Sequence, residues 1–285
     1  MTMEGTMHTF ETPGPVDLQV ELQQGQLTVV AEDTAVTTVD LRPAGDDSAA
    51  AELIDGARVE QRGNAVVVLV PKGKGGLFRN TAGVEARIVV PTDSAARLET
   101  ASADIDTHGR LGSVAVQTGS GDVSLDQTAD VVIRTGSGDV RLDRCNGSCS
   151  VKSGSADVSL GSVQGDADIS SGSGDVEIES VGAKCRVKTG SGDLVLHQAG
   201  DAVDAMAGSG DLVLKHVDHG RVKAKTGSGD VAIGVAGGTA AYLDIMAVTG
   251  DVRSDLDASE APQPDDLTVD INIQSGTGDV VLQRA

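Results

Sequence analysis

The sequence predicts an all-β chain wound as a parallel β-solenoid (β-helix), and three observations carry that prediction. A Gly-Ser-Gly-Asp motif recurs, as TGSGDV at 118–123, 135–140 and 226–231. With the motif aspartate as origin, Asp104, Asp122, Asp139, Asp157, Asp175, Asp193, Asp211 and Asp230 follow one another at about 18 residues, and Asp251 and Asp279 come at longer steps. Apolar residues alternate on both sides of each aspartate, which is the strand period and not the helical one.

The elements follow in chain order. Residues 1–95 carry the same alternation with the motif worn down: Val16, Leu18, Val20 and Leu22, then Leu27 and Val29 around Gly25, then strands at 66–70 and 88–90. They are expected to form irregular N-terminal coils or a cap, with a separate small β domain as the alternative. From 96 to 285 the coils are regular. One and three residues after each aspartate stand pairs such as Val123 and Leu125, Val176 and Ile178, Leu196's pair with Leu194, and Leu212 and Leu214. Eight and six residues before it stand Val131 and Ile133, Cys149 and Val151, Cys185 and Val187, or Leu243 and Ile245. A third inward place holds Cys145, Val163, Val181, Ala199 and Val217. Strands this short cannot bury a face alone, so each coil must stack on the next, about 4.8 Å away, to complete a core and a hydrogen-bond ladder.

Composition bounds the function. Aromatics are 1% of 285 residues against 37 glycines, so the core is thin and aliphatic. A formal charge of -21 repels phosphate backbones and anionic lipid, which excludes nucleic acid as a partner, and no apolar stretch is long enough for direct membrane insertion. Three cysteines make no disulfide framework, and the N-terminus shows no basic segment before an apolar run, so a cytoplasmic protein is expected.

The lead-in ETPGPVDLQVELQQGQLTVVA, the IVVP at 88–91 and the TGSGDVSL-like repeats together resemble the bacterial β-strand-repeat family labelled putative adhesin, a domain of unknown function. The similarity spans almost the whole chain. It implies a β-solenoid-like fold and little chemistry, since the family has no agreed catalytic residues.

In the turn, glycines three and one before the aspartate supply corners where φ turns positive, and Ser and Asp cap nearby backbone N–H groups. Asp122, Asp139, Asp157, Asp175, Asp193, Asp211 and Asp230 are therefore assigned to the turn structure. Calcium between coils is the competing reading, but known calcium repeats carry an aspartate in each nine-residue half-coil, and here the second half-coil has none. The five histidines form no ligand set and are read as a solvated face. Cys149 and Cys185, two coils and about 9.6 Å apart, are too distant for a disulfide and read as small core residues.

Two loops interrupt the pattern. PKGKGGLFRNTAG at 71–83 sets Lys72, Lys74 and Arg79 beside Phe78, a basic patch that is a candidate partner contact. The acidic, proline-bearing stretch at 253–268 accounts for the 28-residue step before Asp279. The chain stops six residues after that aspartate, so Val280 and Leu282 are expected on an uncapped last coil.

These observations call for no cofactor, no metal and no catalytic residue. A polysaccharide-active solenoid would bring aromatic platforms and a convergent titratable cluster, which the sequence lacks. The reading is a non-catalytic binding or scaffold protein with a protein partner, and the alternative is a self-assembling β-helix, including an end-to-end homodimer.

Overall fold

The computed structural model describes residues 6–45, 48–73, 83–256 and 267–285. Among them are 27 strands and one helix, so the class is all-β. The chain divides into two compact units, Met1–Arg144 and Cys145–Ala285.

The first unit contains β1 (Thr6–Glu11), β2 (Asp17–Leu22), β3 (Gly25–Glu32), β4 (Val36–Pro43) and α1 (Ser48–Asp55). After the helix come β5 (Arg58–Arg62), β6 (Ala65–Leu69), β7 (Val84–Pro91), β8 (Ala95–Thr100) and β9 (Asp104–His108). It closes with β10 (Val114–Thr118), β11 (Val123–Thr128), β12 (Val131–Thr135) and β13 (Val140–Cys145), whose final cysteine opens the second unit. One sheet runs β1-β4-β7-β3-β9-β11-β13 and the other β5-β6-β2-β8-β10-β12.

Alternation places the core. In β2, Leu18, Val20 and Leu22 are buried while Asp17, Gln19 and Glu21 face water. A strand from each sheet makes a rung, and the β2/β3 rung is covered on both sides: by β8/β9, with Leu18 opposite Ala96 and Leu27 opposite Ile105, and by β6/β7, with Leu18 opposite Val66 and Leu27 opposite Ala86. The chain between β3 and β8 thus folds back over its own first rung. Here the pairing turns antiparallel, in β1 with β4, β4 with β7 and β5 with β6. The Ala-rich segment SAAAELID is helical rather than extended, burying Ala50 and Ile54, four apart on one face, against β4. The outer strand β5 is guarded by charge: Arg58 and Arg62 both pair with Glu60, at 2.9 and 2.6 Å.

The second unit begins with β14 (Cys149–Ser155), β15 (Val158–Val163), β16 (Ala167–Ser173), β17 (Val176–Val181), β18 (Lys184–Ser191) and β19 (Leu194–Gln198). It continues with β20 (Ala202–Ser209), β21 (Leu212–Val217), β22 (Gly220–Ser228) and β23 (Val231–Val235). The last four strands are β24 (Ala240–Thr249), β25 (Val252–Ser254), β26 (Thr268–Thr277) and β27 (Val280–Arg284). Its sheets run β15-β17-β19-β21-β23-β27-β25 and β14-β16-β18-β20-β22-β26-β24, with every neighbouring pair parallel. Val176, Leu194, Leu212 and Val231 form one buried column, and Cys149, Ala167, Cys185 and Val203 another. Long parallel sheets of this kind are consistent with the solenoid expectation.

The expected uncapped last coil is corrected. The rung β26/β27 lies between β22/β23 and β24/β25, and Val280 and Leu282 are fully buried. Its residues continue the inward columns, with Ile271 opposite Val222 and Ile273 opposite Ala224, so it stacks on β22/β23 better than the segment that precedes it in sequence. The outermost rung of this unit is β24/β25.

Candidate functional site

The most regular constellation is the column of turn aspartates. In the first unit the backbone N–H of Asp122 donates to Asp104 Oδ1 and that of Asp139 to Asp122 Oδ1, both at 3.0 Å. In the second unit the same bond joins Asp175 to Asp157, Asp193 to Asp175, Asp211 to Asp193 and Asp230 to Asp211 at 2.8–2.9 Å. It then passes from Asp279 to Asp230 and from Asp251 to Asp279, following the spatial order of the rungs and not the chain order. The carboxylates of Asp104, Asp122, Asp157, Asp175, Asp193, Asp211, Asp230 and Asp279 thereby each meet a turn amide, and a charge-assisted bond to a backbone N–H offsets the repulsion of stacked like charges.

The glycines make this approach possible, for two different reasons. Gly192, Gly210 and Gly229, directly before the aspartate, have φ of +136°, +143° and +137°. A Cβ on Gly210 would also strike the carbonyl oxygen of Gly192 on the neighbouring rung. The glycine three before the aspartate was expected to supply a positive φ as well. Gly190, Gly208 and Gly227 do not have one; they are required because a side chain there would meet the backbone of the rung alongside.

The histidines are not scattered singly. His197 Nε2 lies 2.9 Å from Glu177 Oε1, its Nδ1 3.8 Å from Glu179 Oε2, and Lys215 Nζ 3.4 Å from the same Nδ1. Sequence reasoning missed this group, although the register that sets Ile178 opposite Leu196 brings Glu179 level with His197. Two carboxylates and an imidazole suit a divalent cation, but the two ring nitrogens face different carboxylates and an ammonium already stands at Nδ1. The arrangement is that of a charge network on an outer face. A second pair of contacts holds His219, with Nδ1 2.6 Å from Asp218 and Nε2 3.2 Å from Asp201; hydrogen bonds to Asp218 and then Asp201 raise its pKa.

Cys145, Cys149 and Cys185 are buried and form no disulfide. Burial pushes the Cys149 and Cys185 thiols up to about 12, so neither is a thiolate near neutrality. Of the basic patch, Lys72 is exposed at a strand exit, while Lys74, Phe78 and Arg79 lie outside the described residues. No described helix is long and apolar enough to cross a membrane.

A family of known sequences, Toastrack DUF4097, matches residues 17–282. The chain belongs to that family. This toastrack chain is similar in fold to a crystal structure described as a putative adhesin from Parabacteroides distasonis, at 12% identity and a TM-score of 0.47 over 99% of this chain and 97% of that one. A putative adhesin from Parabacteroides merdae is similar at 10% identity and a TM-score of 0.41, with the same two coverages. A protein described as a putative lipid binding protein, also from Parabacteroides distasonis, is similar at 12% identity and 0.41, again over 99% and 97%. No curated protein matches the toastrack chain. The family match over almost the whole chain bears out the resemblance drawn from the lead-in, the IVVP and the TGSGDV-like repeats together.

Proposed function

We propose that the chain is a non-catalytic binding or scaffold protein: a parallel β-solenoid of about 18-residue coils, joined at TGSGD turns, whose outer faces meet a protein partner. The observation that supports this reading is the aspartate column. Its carboxylates are the most conspicuous candidates for chemistry in the sequence, and in Asp157, Asp175, Asp193 and Asp211 a carboxylate oxygen accepts the amide of the next rung, which gives these residues a structural task. The outer faces beside them carry ordered columns of mixed charge, such as Asp168, Arg186 and Asp204, with Arg186 3.4 Å from Asp168 and 3.9 Å from Asp204. Flat, repeated surfaces of this kind suit recognition of an extended partner. Three buried cysteines outside any disulfide fit the proposed cytoplasmic compartment.

The test is a double one. Incubation with a panel of acidic and neutral polysaccharides is expected to give no turnover; saturable turnover lost in Glu177→Gln or Glu179→Gln would overturn the non-catalytic reading. Calcium and a chelator are each expected to leave the melting temperature unchanged beyond ionic-strength effects. A saturable rise with calcium would move the aspartates from structure to ion binding.

A further inference from the structure

The outermost rung of the second unit departs from the rungs behind it on both faces. On the inner face, Leu243 stands opposite Ile271, yet it is 42% exposed where Ile271 is fully buried. On the outer face, Tyr242 takes the place held by Asp270 and Arg221, and Met246 that held by Gln274 and Lys225. Tyr242, Met246 and Val248 are 57%, 64% and 78% exposed. The ten-residue β24 pairs with β26 along one side and meets no strand along the other among the described residues. It contains no proline and no lysine, and its single charge, Asp244, accepts a bond from Asn272 Nδ2 at 2.6 Å. A long apolar edge without a guard is a template for another strand.

We propose that this edge is the contact surface for a second copy of the chain, joined by antiparallel pairing of β24 with β24 about a two-fold axis. Charge selects the occupant. At -21 overall, copies of this protein repel, and a basic partner is drawn to the acidic faces. With one carboxylate in ten residues, β24 is a place where two copies can approach with little repulsion. Symmetry then fixes the register. Centring the pair on Ile245 sets Tyr242 across from the second copy's Val248 and Asp244 across from its Met246, whereas centring on Asp244 would put like charges directly opposite. Tyr242, Leu243, Met246, Val248, Val252 and Leu267 are all exposed on or beside this outermost rung, a concentration of large apolar side chains of the kind that marks an interaction surface. The inference stands apart from the binding role proposed above, since it uses a different surface and a different measurement.

Sedimentation equilibrium of the full chain over a wide concentration range is expected to show a species of twice 28.8 kDa. The variant Met246→Asp, at an exposed position, is expected to weaken association roughly 100-fold by setting a carboxylate directly opposite the second copy's Asp244 on both sides of the axis, with far-UV circular dichroism and melting temperature kept. Residues directly opposite in an antiparallel pair lie within disulfide reach, so Tyr242→Cys with Val248→Cys is expected to cross-link two chains under mild oxidation. A wild-type monomer at every concentration would overturn the proposal, whether the edge is then covered by the chain's own 257–266 segment or only by an added foreign strand. A dimer that survives Met246→Asp would do the same, and cross-linking by Met246→Cys alone would overturn the register.

Discussion

The hexapeptide TGSGDV occurs in both units with two different conformations. At 118–123 and 135–140, in the first unit, strands β10 and β12 end at the threonine, and the hydroxyls of Thr118 and Thr135 each accept the N–H of the second glycine at 3.1 Å. At 226–231, in the second unit, β22 runs on through Ser228, the second glycine takes a φ of +137°, and its N–H donates to the Thr277 carbonyl of the adjacent rung at 2.9 Å. Identical residues therefore close the turn inward in one unit and pair it outward in the other. What differs is the neighbour: Ser137 bonds the Gly119 carbonyl in the first case, whereas Ser228 continues a strand register with Ser209 and Thr277 in the second. A turn in a stacked array takes the form of the turn beside it, and its own sequence only permits that form.

The comparison assumes that the cores beneath the two turn types are equivalent. Leu142→Asp and Leu196→Asp, both replacing side chains 1% exposed, are expected to cost more than about 3 kcal/mol each in chemical denaturation, by burying an unpaired charge. Val195→Asp, on the outward side, is expected to cost under about 1 kcal/mol. Equal losses at Leu196 and Val195 would contradict the register.

Next in size are the glycines. Gly229→Ala meets both a positive φ and the Gly210 carbonyl, while Gly138→Ala meets only the Gly121 carbonyl, so Gly229→Ala is expected to lose more, by about 1 kcal/mol. A larger loss at Gly138 would remove the conformational distinction. The threonines give a finer contrast. Thr135→Val breaks the bond to Gly138 and is expected to cost about 1 kcal/mol; Thr189 Oγ1 is buried without a partner, so Thr189→Val is expected to be neutral or stabilising.

The smallest effect concerns pH. The pKa of His219 is raised in the folded second unit, so its contribution to stability is complete below the unfolded value near 6.5 and is lost as pH rises through the folded value. His219→Gln is expected to flatten a shallow decline in melting temperature across that window. An unchanged slope would separate the histidine from stability.

Much of the architecture was legible in the amino-acid order. The alternation about each aspartate identified Val176, Leu194 and Leu212 as inward residues, because burial of one strand face leaves a period of two that cannot be mistaken over several repeats. Three features were not legible. The helix at Ser48–Asp55 sits in a short apolar stretch where the strand and helix patterns overlap. The place of Val280 and Leu282 depends on which rung wins the edge of β22/β23, a competition between two similar segments that spacing alone does not rank. The Glu177, Glu179 and His197 network needs more than the register that sets Glu179 level with His197, because the reach of Glu177 Oε1 to Nε2 is a matter of side-chain conformation that spacing does not specify.

The order of the last rungs bears on how the chain is made. A ribosome releases 240–254 before 268–284, yet the later segment must occupy the edge of β22/β23 and the earlier one must sit outside it. Within the second unit, rungs up to β23 can be added one at a time behind the exit tunnel, each pairing with a strand about 18 residues back. For the final pair this vectorial growth fails, because β26 pairs with a strand some 49 residues earlier and Asp279 finds Asp230 across the same distance. Until 268–284 emerges, the free edge is open to the wrong segment, and β24 would have to be displaced from it. Non-local closure of this kind is slow, so completion of the second unit waits on the emergence of that segment.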